Sequence, residues 1–393
     1  MHILAGESAL RALRAARHRH FALPIPQLTP RSVKVRLPCR EEVEPPAPDE
    51  DSLARTPTLE DLSFPFESAE ANAKVDLWQL GSLGAFTQDR PLELAVFDSG
   101  HRVNRKKSRV RRISRSLPAD SLVRVNPYLY FVCPELVVLQ MASRLTPIRL
   151  AQLAMELCGS YSLSPDPELR EAAHFQLPAV TTIARIRHYS RIVRVWGGTK
   201  TLRQALDLAA EGSASPGETA LALAMSLPAE LGGYGFPKPS LNALLATPED
   251  EVGRIGGGDY YLDALWQTAF VDLEFESTGF HLDPLAAAAL VAARDQNPDA
   301  DPEAVAWRRE LIAKADADRR RLRDIQYLGI QVIPVTTFDL DDSRRMDQVA
   351  YALAKRFWAH DRDGFCHWSD SLDEHSYREL RQNLLKVLAG DGS

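Results

Sequence analysis

The sequence predicts a mixed α/β protein, α+β overall, with a C-terminal sheet flanked by helices preceded by a separate mixed α/β N-terminal domain. Three observations predict it. Residues 260–277 (YYLDALWQTAFVDLEFES) read as two short strands joined tightly around Trp266, Gln267 and Thr268, and the second strand alternates with period two. Strand-like stretches at 92–97, 122–125 and 129–132 give way to the apolar helical segments PELVVLQMASRL and IRLAQLAMELCG. At 393 residues the chain is too long for one ordinary core, so two or three domains are expected.

Composition sets the class. Apolar content of 45% and charged content of 25% are those of a globular chain. A net charge of −6 argues against a generally basic coat for nucleic acid, though not against a local basic patch. Cys39, Cys133, Cys158 and Cys366 form no close pair, which favours free thiols and a cytoplasmic location. No apolar run is long enough to span a bilayer, so no membrane association is expected.

Taken in order, residues 6–20 suggest a helix with Leu10 and Leu13 inward and its basic groups outward, followed by an alternating strand at Val33–Leu37. Residues 41–70 hold ten acidic residues, one basic residue and five prolines, a composition expected to stay disordered. The segment 101–115 (HRVNRKKSRVRRISR) carries eight Lys or Arg in fifteen residues. Val110 and Ile113 interrupt it, as in a hairpin with a basic rim. Arg105, Lys106, Lys107, Arg109, Arg111 and Arg112 are the candidates for phosphate contact, and a solvated basic face is the plain alternative. The run has no aromatic residue, which argues against stacking on single strands.

Pro134 and Pro147 sit at the first positions of two core helices. Residues 174–210 read as helical, broken at Trp196-Gly197-Gly198, with a second basic stripe of Arg185, Arg187, His188, Arg191 and Arg194. The expected division is 1–162 for the N-terminal domain, 163–212 for a helical linker region, 213–340 for the second domain and 341–393 for a helical extension. SPGETALALAMSLP opens that second domain with Ser215, Pro216 and Glu218 at N-cap, N1 and N3 positions. A Gly/Pro-rich loop then leads into the hairpin. Asp283-Pro284 caps an alanine-rich helix, Asp301-Pro302 starts a long charged helix to about Leu328, and IQVIPVTTFDL follows as a strand. Residues 345–358 and 374–388 read as amphipathic helices.

On the second strand of the hairpin, Asp272, Glu274 and Glu276 share a face, and Asp263 on the first strand could lie across from them. Like charges at that spacing repel unless solvated or offset by a cation. The succession SPGET, then LD followed eleven residues later by the Glu of LEFE, then DxxRxxxLRDIQYLGIQVIPVT, resembles the PD-(D/E)xK restriction-endonuclease-like superfamily. The nearest branch is that of the very-short-patch-repair-like and abortive-infection-antitoxin-associated proteins. The match covers about residues 215–340.

The resemblance implies a restriction-endonuclease-like sheet flanked by helices, with Glu218 reaching in from the first helix and Asp263 and Glu274 as metal ligands. Oxygen ligands of this kind suit Mg²⁺, so the implied activity is Mg²⁺-dependent phosphodiester hydrolysis on DNA by Glu218, Asp263 and Glu274. Where the superfamily carries its lysine this chain has Glu276, and Ser277 replaces the following glycine. Activation of water would then fall to Glu276 or His281. The alternative is a non-catalytic DNA-binding transcriptional regulator of the type IV antitoxin kind, with a degenerate nuclease fold and a cognate toxin or other defence protein as partner.

The plainer readings stay beside these. Glu218 can equally complete a capping box, Asp263 can end a strand, and Asp272 and Glu276 are expected to be solvated rather than liganding. Asp318, Arg319 and Arg321 read as a solvated helix face in preference to a carboxylate or phosphate contact. His360, Asp361, Asp363, Cys366 and His367 could suggest zinc, but their spacing lacks a second close pair.

Overall fold

The computed structural model describes residues 2–18, 34–35, 86–97, 107–113, 117–118, 120–126, 129–166, 173–193, 197–248, 251–255, 258–276, 302–360 and 375–390. The expectations for 41–70, Arg105, Lys106, His281, the helix at 284, Asp361, Asp363, Cys366 and His367 lie outside them, as does the side chain of His360. The chain forms two compact units, Met1–Arg31 with Glu44–Thr219, and Ser32–Val43 with Ala220–Ser393. Each has a mixed sheet with helices. Among the described residues no helix is long and apolar enough to cross a membrane.

The first unit is built on a five-stranded sheet of order β4-β3-β1-β6-β5. Its strands are β1 (His2–Leu4), β3 (Leu92–Val96), β4 (Ser108–Arg112), β5 (Leu122–Asn126) and β6 (Leu129–Val132). The central strand is the three-residue β1, too short to register as a strand in the sequence. It runs antiparallel to β3 and parallel to β6. The basic segment is not a hairpin: β4 is an edge strand, parallel to β3 with Glu93 opposite Arg109 and Ala95 opposite Arg111.

Helix α1 (Gly6–Arg17) follows β1 directly and buries Leu10 and Leu13 as expected. Its arginines do not all face outward. Arg11 and Arg17 are buried, and Arg14 forks onto the buried Glu156 carboxylate at 2.9 and 2.7 Å. Arg17 donates to the carbonyl oxygens of Glu156, Gly159 and Pro178. Glu156 lies in the last turn of α3 (Pro147–Leu157), where unsatisfied carbonyls attract a cation.

Helices α2 (Pro134–Met141) and α3 start at the expected prolines. The stretch read as helical over 174–210 forms two helices, α4 (Ile183–Ile192) and α5 (Thr199–Leu208), broken where the glycines predicted, while 174–182 is not helical. Arg185, Arg187, His188 and Arg191 of the basic stripe all lie on α4, and Arg194 lies outside the described residues. Gly198 is left-handed at φ +79°, and a Cβ there would come within 2.5 Å of the Ala142 backbone. Only glycine allows α5 to begin so close to the end of α2. Cys133 and Cys158 are free thiols, both buried, and burial pushes both pKa values up.

The second unit carries a sheet of order β10-β9-β8-β7-β2. Its strands are β2 (Lys34–Val35), β7 (Ser240–Leu245), β8 (Tyr260–Trp266), β9 (Val271–Glu276) and β10 (Gln331–Thr336). Strands β7, β8 and β9 form an antiparallel meander, with β10 parallel to β9 and β2 parallel to β7. Residues 240–245 form a strand where the sequence suggested the end of a loop. The segment 34–35 joins this second sheet, not the first.

Helix α6 (Pro216–Ser226) precedes β7, and α7 (Pro302–Tyr327) connects the parallel strands β9 and β10. Ile325, Ile330 and Val332 close the core against Ala243, Leu245, Leu262 and Leu265. The strand after Gly329 stops at Thr336, because Thr336 and Asp339 form a capping box that starts α8 (Thr337–Asp341). Helices α9 (Ser343–His360) and α10 (His375–Ala389) complete the tail. The buried Arg381 of α10 lies over the Tyr234 ring at 4.7 Å and reaches Asp347 of α9 at 3.0 Å, and the Tyr234 hydroxyl donates to the same carboxylate.

Candidate nucleic-acid interface and acidic hairpin

Strands β8 and β9 are joined by a turn of 3₁₀ helix, Gln267–Ala269, and by Phe270 in the left-handed region at φ +50°. The register pairs Leu265 with Asp272 and Ala264 with Leu273. Continued by one residue, it sets Asp263 beside Glu274, so the hairpin brings together two of the acids singled out in the sequence. Two aspartate side chains add to this pairing. The Asp263 Oδ2 accepts from the Phe275 N–H at 2.8 Å, and the Asp272 Oδ1 accepts from the Ala264 N–H at 3.0 Å. The two aspartates thereby stitch the strands together reciprocally.

Asp272 corrects an expectation. It is fully buried (0% exposed), not solvated. Its buried Oδ2 accepts from no donor. Burial, then the neighbouring charges of Glu274 and Asp263, push its pKa well up, so the carboxyl favours its neutral form. Period-two alternation assigned it to a polar face, but that face is covered.

Glu274 is also largely buried (9% exposed), and both of its oxygens are taken. Arg321 of α7 forks onto them, Nη1 to Oε2 and Nη2 to Oε1, each at 2.8 Å. The same guanidinium donates to the Tyr261 carbonyl. Arg321 is thus the cation of the cluster, not a member of a solvated helix face. Its pKa is raised: burial opposes the charge, but Glu274, Asp263 and Asp272 outweigh it. Spacing along α7 could not show this, because the contact spans 47 residues. Glu276, at the end of β9, is half-buried.

Glu218 belongs to the first unit and serves its own helix. Its backbone N–H donates to the Ser215 Oγ at 3.1 Å, and its carboxylate accepts from the Ala214 N–H at 2.8 Å. This is the capping reading, with the carboxylate engaged one residue ahead of the N-cap. Mg²⁺ requires an oxygen cage close to octahedral at about 2.0–2.1 Å. Glu274 is committed to a guanidinium, Asp263 and Asp272 accept backbone N–H groups, and Glu218 caps a helix. As arranged within the second unit, Glu274, Asp263 and Asp272 form no ready cage of that kind. Among the described residues no group of three or more His, Cys, Asp or Glu is placed to hold a metal ion.

A residue overlooked in the sequence is Asn242 in β7. It sits at φ +48° within a strand, and the β7–β8 register brings it level with Asp263. Non-glycine residues in this region are uncommon, asparagine being the most tolerant, so the type was the available signal.

The basic candidates sit in the first unit. Lys107, Arg109 and Arg112 are exposed along the sheet edge, and Arg111 is half-buried. Alternation places Lys107, Arg109 and Arg111 on one side of β4, together with Glu93 of the neighbouring strand. Glu93 is 1% exposed and is shared by two arginines: Arg144 pairs with Oε1, and the Arg111 Nε lies 3.6 Å from Oε2. Burial, then the charge of Arg144, lowers the Arg111 pKa. Set against known proteins, the chain matches no family model, no curated protein and no solved structure.

Proposed function

We propose that this protein binds DNA without cutting it, as a transcriptional regulator of the type IV antitoxin kind whose second unit is a degenerate PD-(D/E)xK-like nuclease fold. The observation that carries the non-cutting reading is the Arg321 fork on Glu274. A guanidinium that satisfies both oxygens of the best candidate ligand supplies the positive charge there and leaves that carboxylate no free pair of oxygens for Mg²⁺. The absence of the motif lysine, with Glu276 in its place, points the same way. The DNA half of the reading is supported by the row of Lys107, Arg109, Arg111 and Arg112 on an exposed sheet edge. A cognate toxin or other defence protein is the partner that this reading implies.

One observation favours the rival, Mg²⁺-dependent hydrolysis: the meander gathers Asp263, Asp272 and Glu274 on adjacent strands, the disposition expected of a metal-dependent nuclease by the resemblance. A plasmid-nicking assay with Mg²⁺ and with Mn²⁺, on wild type and Glu274→Ala, separates the two. The expected result is DNA retardation without nicking in both proteins. Nicking by the wild type that Glu274→Ala abolishes would establish the nuclease and overturn the proposal.

A further inference from the structure

The cations of the β4 edge are not independent of the rest of the first unit. Arg144, just beyond the end of α2, is 35 residues from Arg109 in sequence and shares no motif with the basic run. It reaches the same buried carboxylate, Glu93, that faces Arg111. Glu93 itself is fixed from both sides: its N–H donates to the Ser8 Oγ at 2.9 Å, and its carbonyl accepts from the Ala5 N–H at 3.0 Å. Two cations, Arg111 and Arg144, thereby share one carboxylate, on the side of β4 where Lys107 and Arg109 also lie. The side chains of Arg144 and Arg111 remain 25% and 31% exposed.

A guanidinium has five N–H donors, and its contact with one carboxylate leaves others to project outward. Arginines are the side chains best matched to phosphate oxygens, provided that their planes are held in place. A buried carboxylate anchored on its own backbone is such a holder.

We propose that Arg144 is a further phosphate-contacting residue of this surface, and that Glu93 is the positioning residue that orients Arg144 and Arg111 toward a duplex DNA backbone running along β4. This deepens the DNA-binding reading and rests on it. The plain alternative is that the charges merely keep an exposed sheet edge from pairing with another chain. It predicts no special role for a residue outside the strand.

The two readings differ in sign for Glu93→Gln. By charge count alone that substitution removes a negative charge and strengthens DNA binding. A positioning role predicts weaker binding, because the arginines lose the ionised partner that orients them.

The test is fluorescence anisotropy with a short labelled duplex DNA over a series of KCl concentrations, using the full chain. Arg144→Ala should reduce the slope of log K against log[salt] by about 0.9, the value of one phosphate contact. Arg109→Ala should do the same, and Arg144→Lys should restore most of the slope. Glu93→Gln should weaken binding and lower the slope by one to two contacts of about 0.9 each. Thermal melting confirms that each variant is folded; should Glu93→Gln fail to fold, the Arg144 pair carries the comparison. Arg109→Ala flattening the slope while Arg144→Ala leaves it unchanged overturns this proposal alone, as does tighter binding by a folded Glu93→Gln. A wild type that binds no duplex overturns the DNA-binding reading beneath it.

Discussion

Replacing Arg321 with methionine keeps much of the aliphatic stem but removes the guanidinium from Glu274. The carboxylate, on a residue 9% exposed in the wild type, would lie beside Asp263 and Asp272 with no cation to offset it. Removing one partner of a fully buried ion pair costs about 3–5 kcal/mol, mostly through the charge left behind. The Arg321 side chain is 32% exposed, so water screens part of the interaction and about 2–3 kcal/mol is expected here. For a unit of this size each kcal/mol lowers Tm by about 2–4 °C, which places the Arg321→Met melt about 4–12 °C below wild type.

The reverse change, Glu274→Gln, strands a guanidinium that can reach solvent and should cost about 1 kcal/mol. The double variant Arg321→Met/Glu274→Gln should therefore be more stable than Arg321→Met alone, because the buried charge is gone. Calorimetry of the full chain, with circular dichroism as a second probe, measures all three. An Arg321→Met protein melting with the wild type, or a double variant no better than the single one, would refute the view that the guanidinium is the counter-ion of the cluster.

Other outcomes follow from single side chains. Asp272 has a folded-state pKa above its unfolded value of about 3.9, so above about pH 4 the unfolded chain gives up a proton that the folded chain keeps. Its contribution is fully present below about pH 4 and is lost as pH rises toward the folded-state value. Asp272→Asn, which keeps an oxygen for the Ala264 N–H, should flatten that part of the profile in denaturation series run from pH 4 to neutrality; an unchanged profile would count against a protonated Asp272. Gly198→Ala should cost at least about 1–2 kcal/mol, from the left-handed backbone and from its approach to Ala142. A urea midpoint equal to that of wild type would show that α5 can shift aside.

The sequence by itself determined what depends on neighbouring residues. Proline at the first position of α2, α3 and α6, the glycine break before α5, and the Ser215/Glu218 cap are local steric and hydrogen-bonding rules, so they are readable in a few residues. The β8–β9 hairpin was readable from its period-two pattern, which allowed Asp263 to lie across from the acids of β9; the pairing with Glu274 in particular was implied only by the resemblance. Two strands escaped for physical reasons: β1 is only three residues long, and β7 follows a Gly/Pro-rich loop and accommodates the left-handed Asn242.

What only the tertiary structure decided is where the charges go. Periodicity shows that Asp272 and Glu274 share a face, but not whether water or another element covers it. A helix brought back across that hairpin placed Arg321 on Glu274, and Asp272 ended in the core. The arginines of α1 turned inward by the same logic, because the carboxylate and carbonyls at the end of α3 stood waiting for them. A long-range ion pair depends on two segments meeting in space, and no local spacing in either segment encodes the meeting.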